Sequence, residues 1–81
     1  MSRIVLDAGA LIALERRDRV MWGRFATAQQ VGTKVVTHAG ILGQVWRRLE
    51  RQAVLARALP SIDVQPLTEE MARRVGELLA A

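Results

Sequence analysis

Short runs of branched apolar residues alternate with segments of helical periodicity three times in this chain of 81 residues. Such an alternation favours a parallel sheet, because the return to a neighbouring parallel strand needs a crossover of a dozen or more residues, usually a helix. The runs predict strands at Arg3–Asp7, Lys34–Thr37 and Ile62–Leu67, the last with Pro66 near its end. The chain is long enough for one domain, which we expect to be of the α/β class.

Helical segments lie between and after these strands. Helices are predicted at Ala8–Arg16 and Val20–Gln30, and Thr68 caps a last helix. Between the second and third strands, apolar residues recur at offsets of three and four, which predicts either one bent helix or two helices in this segment. That stripe consists of Leu42, Val45, Trp46, Leu49, Ala53 and Ala56. The predicted order is β-α-α-β-α-β-α, with a charged cluster at residues 15–19 that closes the first helix and faces water.

Composition excludes several kinds of site and location. The chain has no cysteine and one histidine, His38, which excludes disulfide scaffolds, thiolate zinc sites and histidine-rich metal sites. We expect His38 to be structural or exposed. The longest apolar stretch, Ala8–Leu14, is far shorter than the roughly 20 residues that cross a bilayer. A signal-peptide layout is also missing, so we expect a cytoplasmic protein without a membrane partner.

The charge balance is basic and depends on arginine. Twelve basic residues stand against eight acidic ones, for a net charge of +4, and Lys34 is the single lysine. The guanidinium fork suits phosphate, so a polyanionic partner is one interpretation, and an ordinary arginine-rich surface is the other. Arg47, Arg48 and Arg51 lie off the apolar stripe, where they could follow a phosphate backbone or form a solvated helix face with Glu50.

Asp7 is the most informative candidate residue. It ends the first strand and precedes a helix, and ligands of open α/β sheets bind beyond the carboxyl ends of the strands. The competing interpretation is that Asp7 only caps the following helix through its carboxylate. The residues after it, Ala8-Gly9-Ala10, match neither a dinucleotide fingerprint nor a P-loop.

Gln44 is the second candidate. It follows Thr37, which we expect to cap the helix, by seven residues or about two turns, so both should lie on one side of that helix. An amide is a poor ligand for a hard cation, and Gln44 could equally be an ordinary polar helix residue.

The aromatic residues fall within apolar helical patterns: Trp22, Phe25 and Trp46. They are predicted to fill the core, with base stacking as the alternative.

Together these segments resemble the start of a PIN-domain ribonuclease of the VapC toxin type. Ile4–Leu14 is similar to that family's first strand, first acidic residue and first helix. Val35-Val36-Thr37 and Gln44–Arg47 are similar to its second strand and following helix, and Ile62–Thr68 to its third strand and helix cap. The resemblance extends through nearly all of residues 1–81 and preserves the order and spacing of the segments.

The resemblance implies a Mg²⁺- or Mn²⁺-dependent endoribonuclease that is neutralised by a cognate antitoxin. It implies a PIN-like three-layer fold with a short parallel sheet, of which residues 1–81 are the N-terminal part. Asp7 corresponds to the family's first metal-binding acid, and Gln44 stands at a catalytic position where many members carry glutamate. The family's remaining acids lie beyond the third strand–helix unit. We therefore expect these residues alone to be inactive on RNA, and to self-associate or to depend on the rest of the domain. The alternative is a non-catalytic basic module that binds nucleic acid or protein.

Overall fold

The computed structural model describes residues 3–66, which form a three-stranded parallel sheet with four α-helices. In chain order the elements are β1 (Arg3–Val5), α1 (Ala8–Glu15), α2 (Arg19–Gln30), β2 (Lys34–His38), α3 (Ala39–Arg48), α4 (Ala53–Ala58), a 3₁₀ turn (Leu59–Ser61) and β3 (Asp63–Gln65). This confirms the α/β class and the order of the elements up to the third strand. The predicted last helix, from Thr68 onward, lies outside the described residues.

The sheet has the order β1-β2-β3, with β2 in the centre. Ile4 is paired with Val35, and Thr37 is paired with Val64. β1 and β3 are both only three residues long, so the predicted strands are shortened at their ends, and β3 stops before Pro66. All paired strands run in the same direction, so their carboxyl ends share one edge of the sheet.

An apolar core lies between the helices and the sheet in the part of the chain that the structure describes. Leu11 and Leu14 of α1 are completely buried, as is Leu55 of α4. The remaining members of the core cluster are Leu6, Phe25, Ala28, Val35, Val45, Ala58 and Ile62. α1 packs against α2, α3 and α4, so this short helix is the centre of the helical layer.

The prediction of one apolar stripe across residues 42–56 is wrong for the second half of that range. α3 ends at Arg48, and residues 49–52 are not α-helical before α4 begins. The Gln52 side chain donates hydrogen bonds to the carbonyls of Trp46 (3.1 Å) and Leu49 (3.2 Å), which satisfies carbonyl groups near the end of α3. The break rotates α4 relative to α3. Ala53 and Ala56 are consequently exposed, whereas the buried positions of α4 are Leu55 and Ala58.

Thr37 and Glu15 also differ from expectation. Thr37 does not cap α3: its buried hydroxyl donates to the Leu6 carbonyl (2.9 Å), and His38 occupies the cap position without a side-chain hydrogen bond to the helix. Glu15, expected to face water, is half-buried, and its carboxylate accepts a hydrogen bond from the Leu55 amide (3.0 Å) at the start of α4. Both side chains therefore connect separate elements of the fold.

Candidate functional site at the carboxyl edge of the sheet

Asp7 stands where the chain leaves β1 and enters α1. The Leu6 amide donates to the Val36 carbonyl (2.8 Å), which holds the chain beside β2 as far as the residue before Asp7. Asp7 has an extended backbone, and its Oδ1 accepts a hydrogen bond from the Ala10 amide (2.8 Å). The predicted helix-capping role is therefore confirmed.

The cap uses one carboxylate oxygen of Asp7. The side chain is exposed, and Oδ2 accepts no hydrogen bond from the residues that the structure describes. A carboxylate can accept at both oxygens, so Oδ2 can still bind a cation or a hydrogen-bond donor while Oδ1 keeps the helix in place. Helix capping and ligand binding are thus compatible at this residue.

Asp7 lies at the rim of a cleft of about 380 Å³ between β1 and α2. One cationic side chain, Arg24, lines the same cleft without forming an ion pair with Asp7. The other lining residues are apolar: Ile4, Val5, Leu6, Ala10, Met21, Phe25, Ala28 and Val35. The cleft therefore presents one carboxylate and one guanidinium on an apolar floor.

Arg24 was not among the residues singled out from the sequence. Met21, Arg24, Phe25 and Ala28 follow one another at helical offsets of three, one and three. This spacing places Arg24 on the side of α2 that faces β1. The helical spacing could therefore have identified Arg24 as a cleft residue. It was missed because an arginine next to a core phenylalanine is usually exposed to solvent and has no further role.

Gln44 lies in the second turn of α3 and is exposed. It makes no hydrogen bond to Asp7 or to any other described residue, so its predicted position beside the carboxylate stays a prediction.

His38 ends β2 and is half-buried; its Nδ1 is buried and has no hydrogen-bond partner within residues 3–66. Gln65, the register partner of His38, donates instead to Asp63 Oδ2 (3.4 Å).

The described residues do not by themselves fit a magnesium site. Nowhere in residues 3–66 do three or more His, Asp or Glu side chains come together in a way that could hold a metal ion. Mg²⁺ demands near-octahedral oxygen ligands and gives up its water reluctantly, so a single carboxylate holds it weakly. Asp7 can contribute one ligand, and further acidic groups are needed to complete such a centre.

The aromatic side chains largely fulfil the predicted packing role. Phe25 is buried, and Trp22 meets it edge-on with ring centroids 5.5 Å apart and an interplanar angle of 82°. The Trp22 indole Nε1 donates to the Leu14 carbonyl (2.9 Å) near the end of α1. Trp22 and Trp46 remain half-buried, so part of each ring is accessible.

The arginines predicted to lie off the apolar stripe are all exposed, as expected: Arg47, Arg48 and Arg51.

No described helix is long and apolar enough to span a membrane. No family model matches the chain, and neither the curated proteins nor the solved structures contain a significant match to it.

Proposed function

We propose that this chain belongs to a PIN-type endoribonuclease of the VapC toxin kind, which hydrolyses RNA phosphodiester bonds and uses Asp7 as a catalytic carboxylate. The observation that carries the proposal is the exposed Asp7 carboxylate at the carboxyl end of a parallel strand, on the rim of a cleft. Ligand sites of open α/β sheets form at this edge. The succession of segments resembling that family supports the same assignment.

The proposal includes Mg²⁺ or Mn²⁺ as cofactor, an antitoxin as partner and Gln44 as the neighbour of Asp7 in the site. Residues 3–66 supply one suitable carboxylate, so cleavage requires acidic groups in addition to those described. On the family resemblance, whose remaining acids follow the third strand–helix unit, residues 1–81 alone are proposed to be inactive on RNA. The activity is proposed for the complete gene product that contains these residues.

The test is cleavage of single-stranded RNA by that complete gene product. We expect Asp7→Asn to abolish cleavage that depends on Mg²⁺ and is stopped by EDTA. Because asparagine is as good a helix cap as aspartate, this substitution removes the charge while keeping the hydrogen bond from Ala10. Circular dichroism should therefore be unchanged.

Asp18→Asn is the matched control. Asp18 caps α2 through the same bond, from the Met21 amide to Oδ1 at 2.8 Å, and it does not line the Asp7 cleft. Its substitution should leave cleavage intact. Wild-type cleavage by the Asp7→Asn protein would refute the assignment of Asp7.

The alternative function is a non-catalytic basic module that binds nucleic acid or protein. The exposed side chains of Arg47, Arg48 and Arg51 favour it. A complete gene product that retains RNA in EDTA but never cleaves it with Mg²⁺ or Mn²⁺ would establish the alternative instead.

A further inference from the structure

Two clefts are lined by residues at and just after the end of α1 that is remote from Asp7. One, of about 410 Å³, is lined by Glu15, Arg16, Arg48, Leu49, Glu50 and Arg51. The other, of about 430 Å³, is lined by Arg17, Trp22, Val54 and Arg57. Arg16 and Arg17 are consecutive and line one cleft each. The eight residues of α1 place this surface about 12 Å from Asp7.

Five of the residues that line these clefts are arginines: Arg16, Arg17, Arg48, Arg51 and Arg57. We refer to these five residues as the arginine end. All five are exposed, and none forms an ion pair within residues 3–66. The two glutamates beside them are Glu50 and Glu15, whose carboxylate accepts a hydrogen bond from the Leu55 amide. Five guanidinium groups against two carboxylates leave the residues that line the clefts with a net charge of +3.

Trp22 adds an aromatic surface to this charge. Its indole N–H is directed to the Leu14 carbonyl and its ring meets Phe25 edge-on, which fixes the orientation of the ring. The half-buried ring lines the same cleft as Arg17 and Arg57. An aromatic ring held in one orientation, in a cleft that arginines also line, is suited to stack an unpaired base while the arginines bind the adjoining phosphates.

We propose that the arginine end binds single-stranded RNA, with phosphates along Arg16, Arg48 and Arg51 and one base on Trp22 between Arg17 and Arg57. The aromatic ring favours nucleic acid over an acidic peptide, because carboxylates have no planar base to stack. The site lies at the opposite end of α1 from Asp7, so binding here is independent of cleavage. It is therefore open to test even if the nuclease proposal fails.

The test is fluorescence anisotropy of a dye-labelled oligouridylate of ten nucleotides, titrated with the chain of 81 residues in EDTA. The double variant Arg17→Gln/Arg57→Gln should bind roughly tenfold more weakly than the wild type. The slope of log affinity against log salt should fall by about 1.4, since each phosphate contact on a single strand contributes about 0.7.

The matched control is Arg3→Gln/Arg19→Gln. It removes the same charge from two exposed arginines that line neither cleft, and it should leave affinity and slope nearly unchanged. Equal weakening by both double variants would overturn the proposal in favour of diffuse charge. Displacement by a decaglutamate peptide as effective as that by unlabelled oligouridylate would overturn it in favour of an acidic protein.

A second measurement does not depend on changing the arginines. The chain has two tryptophans, so Trp46→Phe leaves the fluorescence of Trp22 to be observed alone. Base stacking on the ring should quench this fluorescence on addition of oligouridylate. Binding without quenching would show that RNA does not reach Trp22 and would contradict the proposed site.

Discussion

Lys34 of β2 and Asp63 of β3 form an ion pair between the two neighbouring strands, with Nζ and Oδ2 3.0 Å apart. Hydrogen bonds, first from Lys34 and then from Gln65, lower the pKa of Asp63 below its ordinary value of 3.8. The two side chains are 61% and 42% exposed, so the pair is screened by solvent and contributes modestly to stability. Its position ties the start of the central strand to an edge strand only three residues long.

The lowered pKa predicts a specific pH dependence of stability. The carboxylate is favoured in the folded state, so its contribution is present above the unfolded pKa and is lost as the pH falls through the folded pKa. The difference in unfolding free energy between wild type and Asp63→Asn should therefore shrink below pH 3.8. Urea denaturation from pH 2 to 7 measures it, and Lys34→Met should reduce the same pH dependence, while the hydrogen bond from Gln65 remains. A difference independent of pH would contradict the pairing.

At the residue scale, sequence reasoning succeeded where a residue acts on its near neighbours. Asp7 could be predicted as a cap because the cap bond spans only three residues. The hydrogen bond from Thr37 to the Leu6 carbonyl spans 31 residues, and that from Leu55 to Glu15 spans 40. Such partners depend on how the elements pack, which local patterns do not specify. The position of Gln44 relative to Asp7 is a question of the same kind.

The Glu15 carboxylate links the end of one helix to the beginning of another. α4 has only six residues, and its cap residue, Gln52, makes no side-chain hydrogen bond to it. Glu15 supplies the missing acceptor to the Leu55 amide, and a negative charge at a helix N-terminus is favourable. This contact and the burial of Leu55 against α1 hold the short helix in place.

We expect Glu15→Ala to lower the free energy of unfolding by about 1–2 kcal/mol, because it removes the capping acceptor of α4. Glu15→Gln should lower it less, since its amide oxygen can still accept from Leu55. The control is Glu50→Ala, which replaces an exposed glutamate that makes no hydrogen bond within residues 3–66. Urea denaturation compares the three variants. Equal effects of Glu15→Ala and Glu50→Ala would show that the bond contributes nothing.

At the element scale, hydrophobic periodicity identified the strands and helices but not the division between α3 and α4. The stripe continued smoothly through Leu49 and Ala53, and no glycine or proline marked a break. The break is instead stabilised by a glutamine side chain that binds two carbonyls behind it. The turn after α1 could not be identified from a glycine either. The residue in the left-handed conformation there is Arg17, with a φ of 60°.

For the whole molecule, the position of β1 is the most consequential feature. Among the described strands it pairs on one side only, with β2, and its Ile4 and Val5 are 42% and 51% exposed. An unpaired apolar edge tends to recruit another strand. The expected self-association, or dependence on a further part of the domain, is consistent with this edge and stays a prediction.

The proposed nuclease function requires a divalent cation at the carboxyl edge of the sheet, next to Asp7. The most direct measurement is calorimetric titration of Mn²⁺ into the complete gene product, with Gln44→Glu introduced alone and together with Asp7→Asn. We predict that Gln44→Glu tightens Mn²⁺ binding roughly tenfold, because a charged oxygen replaces a neutral amide. With Asp7→Asn present, this gain should disappear. An unchanged affinity in Gln44→Glu, or an equal gain without Asp7, would contradict a shared site.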